Sequence, residues 1–220
     1  MIRVLLADHH RLVRAAVSRV LSEEKGIRVV GEAQTGEDAV AQAEALQPNV
    51  VILDLHLEGI GGMEATRRIQ RLQRDIKVMV LSSSADGPYP EQMLKLGAAG
   101  FVTKAADTDE LVAGVKKLFF GQRFVSADVA QTMAFNSFQS QSDDPFGTLS
   151  NREMQIMMMV VNCRKVHEIS GNLHLSPKTV NSYRYRIFEK LNVSSDVEMA
   201  LMAVRHGVLD PETVPLRSAG

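Results

Sequence analysis

The chain has 220 residues, which is long for one domain and sufficient for two, each large enough to bury its own core. Hydrophobic residues make up 45% of the chain and charged residues 23%, and no apolar run reaches the roughly 18 residues that a membrane span needs, so a soluble protein is expected. The formal net charge is −1, and overall charge therefore does not by itself indicate a nucleic-acid partner.

The first 120 residues alternate short apolar, β-branched runs with stretches of helical period, which is typical of a parallel sheet covered by helices. All the runs except the second are almost continuously apolar, as strands covered on both faces should be. The predicted strands are 2–7, 27–33, 50–53, 77–82 and 100–104. The predicted helices are 11–23, 36–45, 62–73, 90–96 and 108–119.

Two features of the chain bear on its compartment. The opening apolar run is too short for a signal peptide and ends in Asp8, so it is predicted to be a buried strand, and a cytoplasmic location is expected. The single cysteine, Cys163, cannot form an internal disulfide and is expected to be a small buried side chain in a reducing compartment.

The second half of the chain shows helical segments and no strand pattern. Residues 126–138 are weakly periodic, residues 139–145 are polar and predict a linker, and helices are predicted at 151–162, 166–173, 177–191 and 196–206. The predicted organisation is a sheet domain at 1–120, a linker with a helix at 121–147, a helical domain at 148–210 and a frayed tail at 211–220.

Polar residues terminate four of the predicted strands: Asp8, Asp54, Ser82 and Lys104. Because ligands of open parallel sheets bind at the carboxyl ends of the strands, these side chains are expected to meet at one edge. An aspartate can attack phosphorus when a divalent cation, a lysine and a hydroxyl group hold the phosphate oxygens. Each residue taken singly is explained by helix capping or solvation. The set of four predicts phosphoryl transfer to Asp54.

This set resembles the receiver domain of response regulators, and the resemblance implies a five-stranded doubly wound sheet of the flavodoxin or CheY type. It implies that Asp54 is the phosphoacceptor, that Ser82 and Lys104 contact the phosphate, and that Phe101 is an aromatic switch residue. A histidine kinase would donate the phosphate, and Ser82 and Phe101 would then move together in a shift between two receiver states.

The chain departs from the receiver family beside this site. The family has a second acid after Asp8 and a proline four residues after the phosphoacceptor, whereas this chain has His9 and Glu58. Since Mg²⁺ prefers oxygen ligands, Asp8 and Asp54 are predicted to bind it weakly, with slow phosphorylation of Asp54. Three alternatives are open: Glu58 restores part of the charge, Asp8, His9 and Asp54 accept a softer ion such as Mn²⁺, or the receiver acts without phosphate and is controlled by dimerisation, a partner or expression level.

The helix at 177–191 has a well-specified start and one apolar face. Ser176 is a good N-cap and Pro177 a good first helical residue, while Val180, Ile187 and Leu191 fall at spacings of a buried stripe.

The opposite face of this helix mixes hydrogen-bonding side chains with cations, which suits a helix lying in the major groove of DNA rather than a merely solvated helix. Its central residues are Lys178, Asn181, Ser182 and Tyr185, and its flanking residues are Thr179, Arg184, Arg186 and Lys190. Between residues 149 and 209 eight Lys and Arg stand against five acids, a modest positive excess.

The residues Leu149 to Glu153, Ile169 to Leu175 and Ser176 to Val180 closely resemble the four-helix output domain of the LuxR/FixJ/NarL family. That resemblance implies a recognition helix at 178–191, in which Asn181, Ser182 and Tyr185 face bases. It assigns phosphate contacts to Lys178, Thr179, Arg184, Arg186 and Lys190. It also implies a homodimer on DNA, formed through the final helix around 197–205.

Nearly the whole chain, including residues 183–191 and 194–207, is similar to the GacA/UvrY/VarA branch of these regulators. This implies a membrane sensor kinase of the BarA/GacS type and activation of small regulatory RNAs that titrate an RNA-binding translational repressor. No enzymatic activity is expected, because an enzyme on the same sheet would need a Gly-rich phosphate loop where His9, His10 and Arg11 stand. A receiver that acts as a protein-interaction module, with a vestigial DNA domain, is a further alternative.

Overall fold

A computed structural model of the chain describes residues 1–72, 75–85, 87–138, 145–206 and 208–209. The chain divides into two compact units, the first formed by residues 1–85 and 90–136, the second by residues 86–89 and 137–220.

The first unit is a parallel sheet wrapped by helices, with strand order β2-β1-β3-β4-β5-β6. The strands are β1 (Ile2–Ala7), β2 (Ile27–Ala33), β3 (Val50–Asp54), β4 (Lys77–Ser82), β5 (Gly100–Thr103) and β6 (Phe124–Val125). The helices are α1 (Arg11–Glu23), α2 (Gly36–Leu46), α3 (Gly61–Arg71), α4 (Tyr89–Lys95), α5 (Thr108–Phe119) and α6 (Ala127–Phe138).

Alternate residues of the central strands supply two separate apolar cores, one on each face of the sheet. Val4 and Leu6 of β1 pack with Val115 and Leu118 of α5 on one face. On the other face Leu5 of β1 belongs to the cluster that includes residues of α2 and α3. This burial on both faces is the physical reason for the almost continuous apolar runs in the sequence.

The five predicted strands are present, and the sheet gains a sixth that the sequence analysis did not expect. β6 has two residues and pairs with Gly100 and Phe101 of β5. A segment this short carries no periodic pattern, so only the pairing reveals it. After it, Asp128 of α6 accepts a hydrogen bond of 2.6 Å from the Thr103 hydroxyl. Sheet pairing therefore extends into the segment that the sequence analysis assigned to the linker.

The described residues of the second unit form helices and turns and contain no strand. It contains a 3₁₀ turn (Pro145–Thr148), α7 (Asn151–Val161), α8 (Val166–Leu173), α9 (Pro177–Leu191) and α10 (Asp196–Arg205). Helix α9 packs against α7, α8 and the 3₁₀ turn, and α10 packs against α7. A capping box of Ser150 and Glu153 begins α7, as such a sequence predicts. Residues 139–144 of the predicted linker and the predicted tail at 211–220 lie outside the described residues.

The predicted strands and helices agree with the structure to within two residues at each end. The expectation for Cys163 was wrong, because its side chain is exposed. Cys163 follows the end of α7 with a φ of 59°, and this left-handed turn carries the side chain out of the helical packing.

Candidate functional site

The register of the central strands brings the four polar strand ends together. Ala7 pairs with Leu53, so Asp8 and Asp54 follow side by side from β1 and β3. Ser82 pairs with Thr103, so Lys104 follows at the end of β5. The Lys104 amide donates to the carbonyl oxygen of Ser82 at 2.6 Å, which holds the ends of β4 and β5 together.

The two carboxylates lie buried beneath one ammonium group. Asp8 is completely buried and Asp54 is 1% exposed. Lys104 Nζ lies 2.7 Å from Asp8 Oδ2 and 3.3 Å from Asp54 Oδ1. Two buried carboxylates repel each other unless a cation lies between them, and Lys104 supplies that charge.

His9 occupies the other side of the Asp54 carboxylate. Its Nδ1 donates a hydrogen bond of 2.8 Å to Asp54 Oδ2 and lies 3.9 Å from Asp8 Oδ1. The hydrogen bond to Asp54 raises the pKa of the His9 imidazole above its usual value, against the opposing effect of burial. Burial raises the pKa of the Asp54 carboxyl, but the bond from His9 and the charges of Lys104 and His56 outweigh it and hold that pKa below its usual value. Asp54 is thus ionised at neutral pH.

The remaining two residues of the predicted receiver site are Ser82, which ends β4, and Phe101, which lies within β5. Ser82 is 2% exposed, and its hydroxyl oxygen accepts a hydrogen bond from the Ser84 amide at 3.3 Å. Phe101 lies in β5 with its side chain completely buried.

Two residues near this edge were missed by the sequence reasoning. His10 lies with its Nδ1 3.3 Å from Asp8 Oδ1, and its amide donates to the same oxygen at 2.7 Å. Arg14, on α1, is 6% exposed and donates to the carbonyl oxygen of Asp8 at 2.7 Å. The sequence could have indicated Arg14, because this arginine falls at a core-facing position of the predicted first helix. It could have indicated His10, because this histidine is adjacent to His9.

A glycine also lies directly against the backbone of Asp54. A Cβ atom on Gly62, at the start of α3, would stand 2.4 Å from the carbonyl oxygen of Asp54. Any larger residue would therefore displace the end of β3, which positions the carboxylate.

The donor set of this edge fits Mg²⁺ poorly. Four potential ligand atoms, one each from Asp8, His9, His10 and Asp54, lie within 4.8 Å of one another. Only two of the four residues offer the oxygen atoms that Mg²⁺ prefers. Glu58 is not in this cluster; its backbone forms a bridge with Thr35 and its side chain is exposed.

The second candidate surface is α9, whose start and buried face are well defined. Ser176 accepts a hydrogen bond from the Thr179 amide at 3.0 Å, and Pro177 is the first helical residue. Val180 and Ile187 are completely buried and Leu191 is 3% exposed. This stripe anchors α9 against α7 and α8 and turns the opposite face outward.

The outward face of α9 is polar and exposed at its centre. Lys178, Ser182 and Arg186 are exposed, Tyr185 is 67% exposed, and Asn181 is half-buried. The Ser182 hydroxyl donates to the carbonyl oxygen of Lys178 at 3.0 Å, a bond within the helix that leaves its oxygen free to accept another.

Two cations of α9 have partners within the same unit. Arg184 forms an ion pair with Asp196 at the start of α10, and its Nη1 donates to Asn181 Oδ1 at 2.9 Å. Lys190 Nζ lies 2.6 Å from Glu153 Oε2. Thr179 contacts the cap residue Ser176 through its hydroxyl at 2.8 Å.

Helix α10 carries an apolar strip that faces solvent. Val197 is 68% exposed, Leu201 63% and Val204 38%, and their spacing places them on one side of the helix. Buried residues Met199 and Ala203 hold the other side.

Among the described residues, none of the helices has the length and apolar character that spanning a membrane requires.

Two known families match the chain, one in the part that holds the acidic edge and one in the part that holds α9. Residues 4–116 match the family described as response regulator receiver domain. Residues 147–203 match the family described as bacterial regulatory proteins, luxR family.

Relatives of similar length are response regulators. The chain is 51% identical to response regulator GacA of Pseudomonas aeruginosa over 211 residues, covering 96% of this chain and 99% of the relative. It is 47% identical to response regulator UvrY of Escherichia coli K12 over 215 residues, covering 97% of this chain and 99% of the relative.

The chain is also similar to solved structures of response regulators. A LuxR-family response regulator from Aurantimonas is 32% identical, with a TM-score of 0.60 over 62% of this chain and 97% of that one. The response regulator ChrA of a heme-sensing two-component system is 25% identical, with a TM-score of 0.53 over 94% of this chain and 98% of that one.

Proposed function

The chain belongs to the two-component response regulators that join a receiver domain to a LuxR-type DNA-binding domain, and on that premise we propose that phosphorylation of Asp54 controls its binding to promoter DNA. It is a regulator and not an enzyme. The proposed receiver spans residues 1–120 and the proposed DNA-binding domain residues 148–210, joined by a linker at 121–147. The proposed location is the cytoplasm.

The observation that carries the proposal for the receiver is the ionised, buried Asp54 carboxylate beside Lys104. An Asp54 oxygen attacks the phosphorus of a phosphohistidine on the kinase. The new O–P bond forms as the N–P bond breaks, and the departing imidazole keeps the electron pair and takes up a proton. Lys104 neutralises the phosphate oxygens and the Ser82 hydroxyl donates to one of them.

Magnesium is the ion that receiver domains generally bind, and Asp8 and Asp54 are the residues that would hold it. When bound, it would neutralise phosphate oxygens. With His9 in place of a carboxylate, we expect this binding to be weak and phosphorylation to be slow.

The proposal for the DNA-binding unit rests on the single exposed polar face of α9. Asn181, Ser182 and Tyr185 are assigned to bases. Phosphate contacts are assigned to Lys178, Thr179, Arg184, Arg186 and Lys190. The Asp196 carboxylate orients Arg184 toward Asn181, so the pair is held in place before DNA arrives.

A homodimer on DNA is proposed through α10. The solvent-facing strip of Val197, Leu201 and Val204 can pack against the same strip of a second copy about a two-fold axis, which matches paired half-sites in DNA.

Similarity to GacA and UvrY over almost the full length extends the proposal to the partners. The sensor histidine kinase is of the BarA/GacS type. The regulated genes encode small RNAs that titrate an RNA-binding translational repressor.

A phosphate-independent regulator is the second candidate function. It is favoured by the His9 hydrogen bond, which occupies Asp54 Oδ2 at 2.8 Å and so ties up one of the two nucleophilic oxygens. Control would then pass through dimerisation, a partner or the amount of protein.

Intact-mass analysis with a small phosphodonor and Mg²⁺ decides between the two candidates. The wild type is expected to gain one phosphoryl adduct that Asp54→Ala lacks, and His9→Asp to gain it faster. If only the His9→Asp variant gains the adduct, the phosphate-independent function is correct.

Genomic mapping of bound sites, followed by binding to a mapped fragment, tests the DNA-binding unit. Asn181→Ala and Arg184→Ala are expected to lower affinity for the fragment by about 1 to 3 kcal/mol each, with wild-type binding weakening steeply as salt rises. Glu189→Gln, an exposed position elsewhere on α9, is the matched control. Equal affinity of wild type and both variants would contradict the assignment of α9.

A further inference from the structure

The edge of the receiver sheet holds a donor set of two imidazoles and two carboxylates. Asp8, His9, His10 and Asp54 each place one potential ligand atom in a cluster no more than 4.8 Å across. Both carboxylates are buried, while the His9 side chain is 27% exposed and the His10 side chain 58% exposed. The imidazoles thus form the solvent side of the cluster, through which an ion can enter.

The oxygens of the two carboxylates are divided between Lys104 and the histidines. Asp8 Oδ2 and Asp54 Oδ1 are the oxygens nearest Lys104 Nζ, at 2.7 and 3.3 Å. Asp8 Oδ2 accepts no hydrogen bond of good geometry despite this short ionic contact. The other oxygens, Asp8 Oδ1 and Asp54 Oδ2, face the imidazoles. An ion bound by Asp8 Oδ1, Asp54 Oδ2 and the imidazoles therefore leaves Lys104 in place.

The separations of these atoms are close to those of a small tetrahedral site. Ligand atoms about 2.0 to 2.2 Å from a zinc ion at tetrahedral angles lie about 3.3 to 3.6 Å from one another. The distance from His9 Nδ1 to Asp54 Oδ2 is 2.8 Å, from His10 Nδ1 to Asp8 Oδ1 3.3 Å, and from His9 Nδ1 to Asp8 Oδ1 3.9 Å. One of these three separations lies within that range, and the other two differ from it by 0.5 Å or less.

The nature of the donors decides which ion is preferred. Imidazole nitrogen binds Zn²⁺, Co²⁺ and Ni²⁺ well, whereas Mg²⁺ favours carboxylate, carbonyl and water oxygens. We propose that Asp8, His9, His10 and Asp54 form a four-ligand site for a divalent transition ion of the Zn²⁺ class.

Such a site goes beyond the proposed phosphorylation, because a bound transition ion would inhibit phosphorylation of Asp54. Four protein ligands complete a tetrahedral shell and leave no open position for a phosphate oxygen. Coordination also withdraws Asp54 Oδ2 and lowers the nucleophilicity of the whole carboxylate. The bound ion would therefore hold the receiver in its unphosphorylated state, and the transition ion acts as an antagonist of phosphoryl transfer.

Titration of the full-length, untagged protein with Co²⁺ tests the site, because the visible absorption of Co²⁺ distinguishes four-coordinate from six-coordinate geometry. One four-coordinate Co²⁺ per chain is expected, displaced by Zn²⁺ and not by a large excess of Mg²⁺. His9→Ala and His10→Ala should each lower the Zn²⁺ affinity by about tenfold or more, since even outer-shell changes have effects of that size. His167→Ala, an exposed histidine on α8, is the matched control and should bind as the wild type does.

Six-coordinate Co²⁺, displacement by Mg²⁺, or unchanged affinity in either histidine variant would overturn the four-ligand site. Circular dichroism of both variants separates loss of a ligand from loss of the fold. The expected antagonism is checked by adding Zn²⁺ to the phosphodonor assay, where it should reduce the adduct in wild type and not in His10→Ala. An adduct that forms equally with and without bound Zn²⁺ overturns the antagonism. The Co²⁺ titration needs no phosphorylation, so its outcome is independent of the proposed function.

Discussion

The acidic edge of the receiver and the outer face of α9 are built in opposite ways. The acidic edge collects residues 8, 9, 54, 82 and 104, which are far apart in the chain and meet because the strand register aligns the ends of β1, β3, β4 and β5. The face of α9 comes from 15 consecutive residues that one helix presents at regular intervals. The first surface is positioned by the backbone of a sheet, and the second by the packing of one apolar stripe.

This difference determines what a substitution does at each surface. A strand-end residue can change its chemistry, as at His9, while the sheet keeps the position unchanged. A change in a residue of the α9 stripe instead disturbs the packing that turns the polar face outward.

Ile187→Ala should have the largest effect. Ile187 is completely buried, and removing its side chain leaves a cavity beneath α9, which is expected to lower the free energy of unfolding of the second unit by about 2 to 5 kcal/mol. Chemical denaturation followed by circular dichroism measures the loss. Tyr185→Ala, two residues earlier and 67% exposed, should change it by less than about 0.5 kcal/mol. Equal losses would mean that the stripe is not what supports the helix.

Glu64→Gln provides the corresponding test in the receiver. Glu64 is 2% exposed, and although burial favours its neutral form, bonds of 2.5 to 2.9 Å from Arg67 and Arg68 hold its pKa at about 2. Since this pKa is below the unfolded value of about 4.5, the ionised form stabilises the fold above pH 4.5. The contribution of about 3 kcal/mol is lost as pH falls from 4.5 toward 2.

Urea denaturation of wild type and Glu64→Gln between pH 7 and pH 2.5 checks this expectation. The two proteins should differ most at pH 7 and converge in acid. Glu23→Gln removes an exposed partner of Arg19 and should match the wild type throughout. A difference between wild type and Glu64→Gln that stays constant with pH would refute the role of the ionised carboxylate.

Replacing a helix N-cap residue by alanine can be compared in the receiver and in the second unit. Thr35 accepts from the Asp38 amide at 3.2 Å at the start of α2, and Ser176 accepts from the Thr179 amide at 3.0 Å at the start of α9. Thr35→Ala and Ser176→Ala should each destabilise by about 1 kcal/mol, measured by denaturation. Ser22→Ala, within α1, is the control and should be close to neutral. If Ser176→Ala has no effect, the start of α9 is set by Pro177 alone.

Lys178→Ala should have the smallest effect, a small loss of DNA affinity. It tests whether Lys178 contacts a phosphate or a base. An exposed lysine that contacts one phosphate contributes about one unit to the slope of log affinity against log salt, on all sequences alike. Fluorescence anisotropy with specific and unrelated DNA at several salt concentrations measures that slope. A loss confined to the specific fragment would instead make Lys178 a base-contacting residue.

Most of the fold was predictable from the sequence because the signals were local. The apolar runs of β1, β3 and β4 and the cap of Ser176 and Pro177 depend on neighbouring residues, and the structure has those elements where the sequence predicts them. β6 could not be predicted, because two residues have no pattern until β5 pairs with them. Cys163 was predicted to be buried and is exposed, because a left-handed turn after α7 is not visible in residue types.

For the candidate sites, the sequence predicted which residues take part, and only the structure showed which of them contact one another. Nothing in the sequence showed that His10 faces Asp8, that Arg14 binds the Asp8 carbonyl, or that Arg184 pairs with Asp196. These contacts join residues of different elements, or depend on side-chain directions that a pattern does not specify.

The sequence by itself determined the order of the elements, the family and the chemical types of the residues at both surfaces. Apolar periodicity and capping act over a few residues and can be read directly from the chain. Only the tertiary structure decided that two carboxylates, two imidazoles and one ammonium group share a single edge, and how their oxygens are divided. Distances between strand ends arise from register and packing, which no local pattern contains.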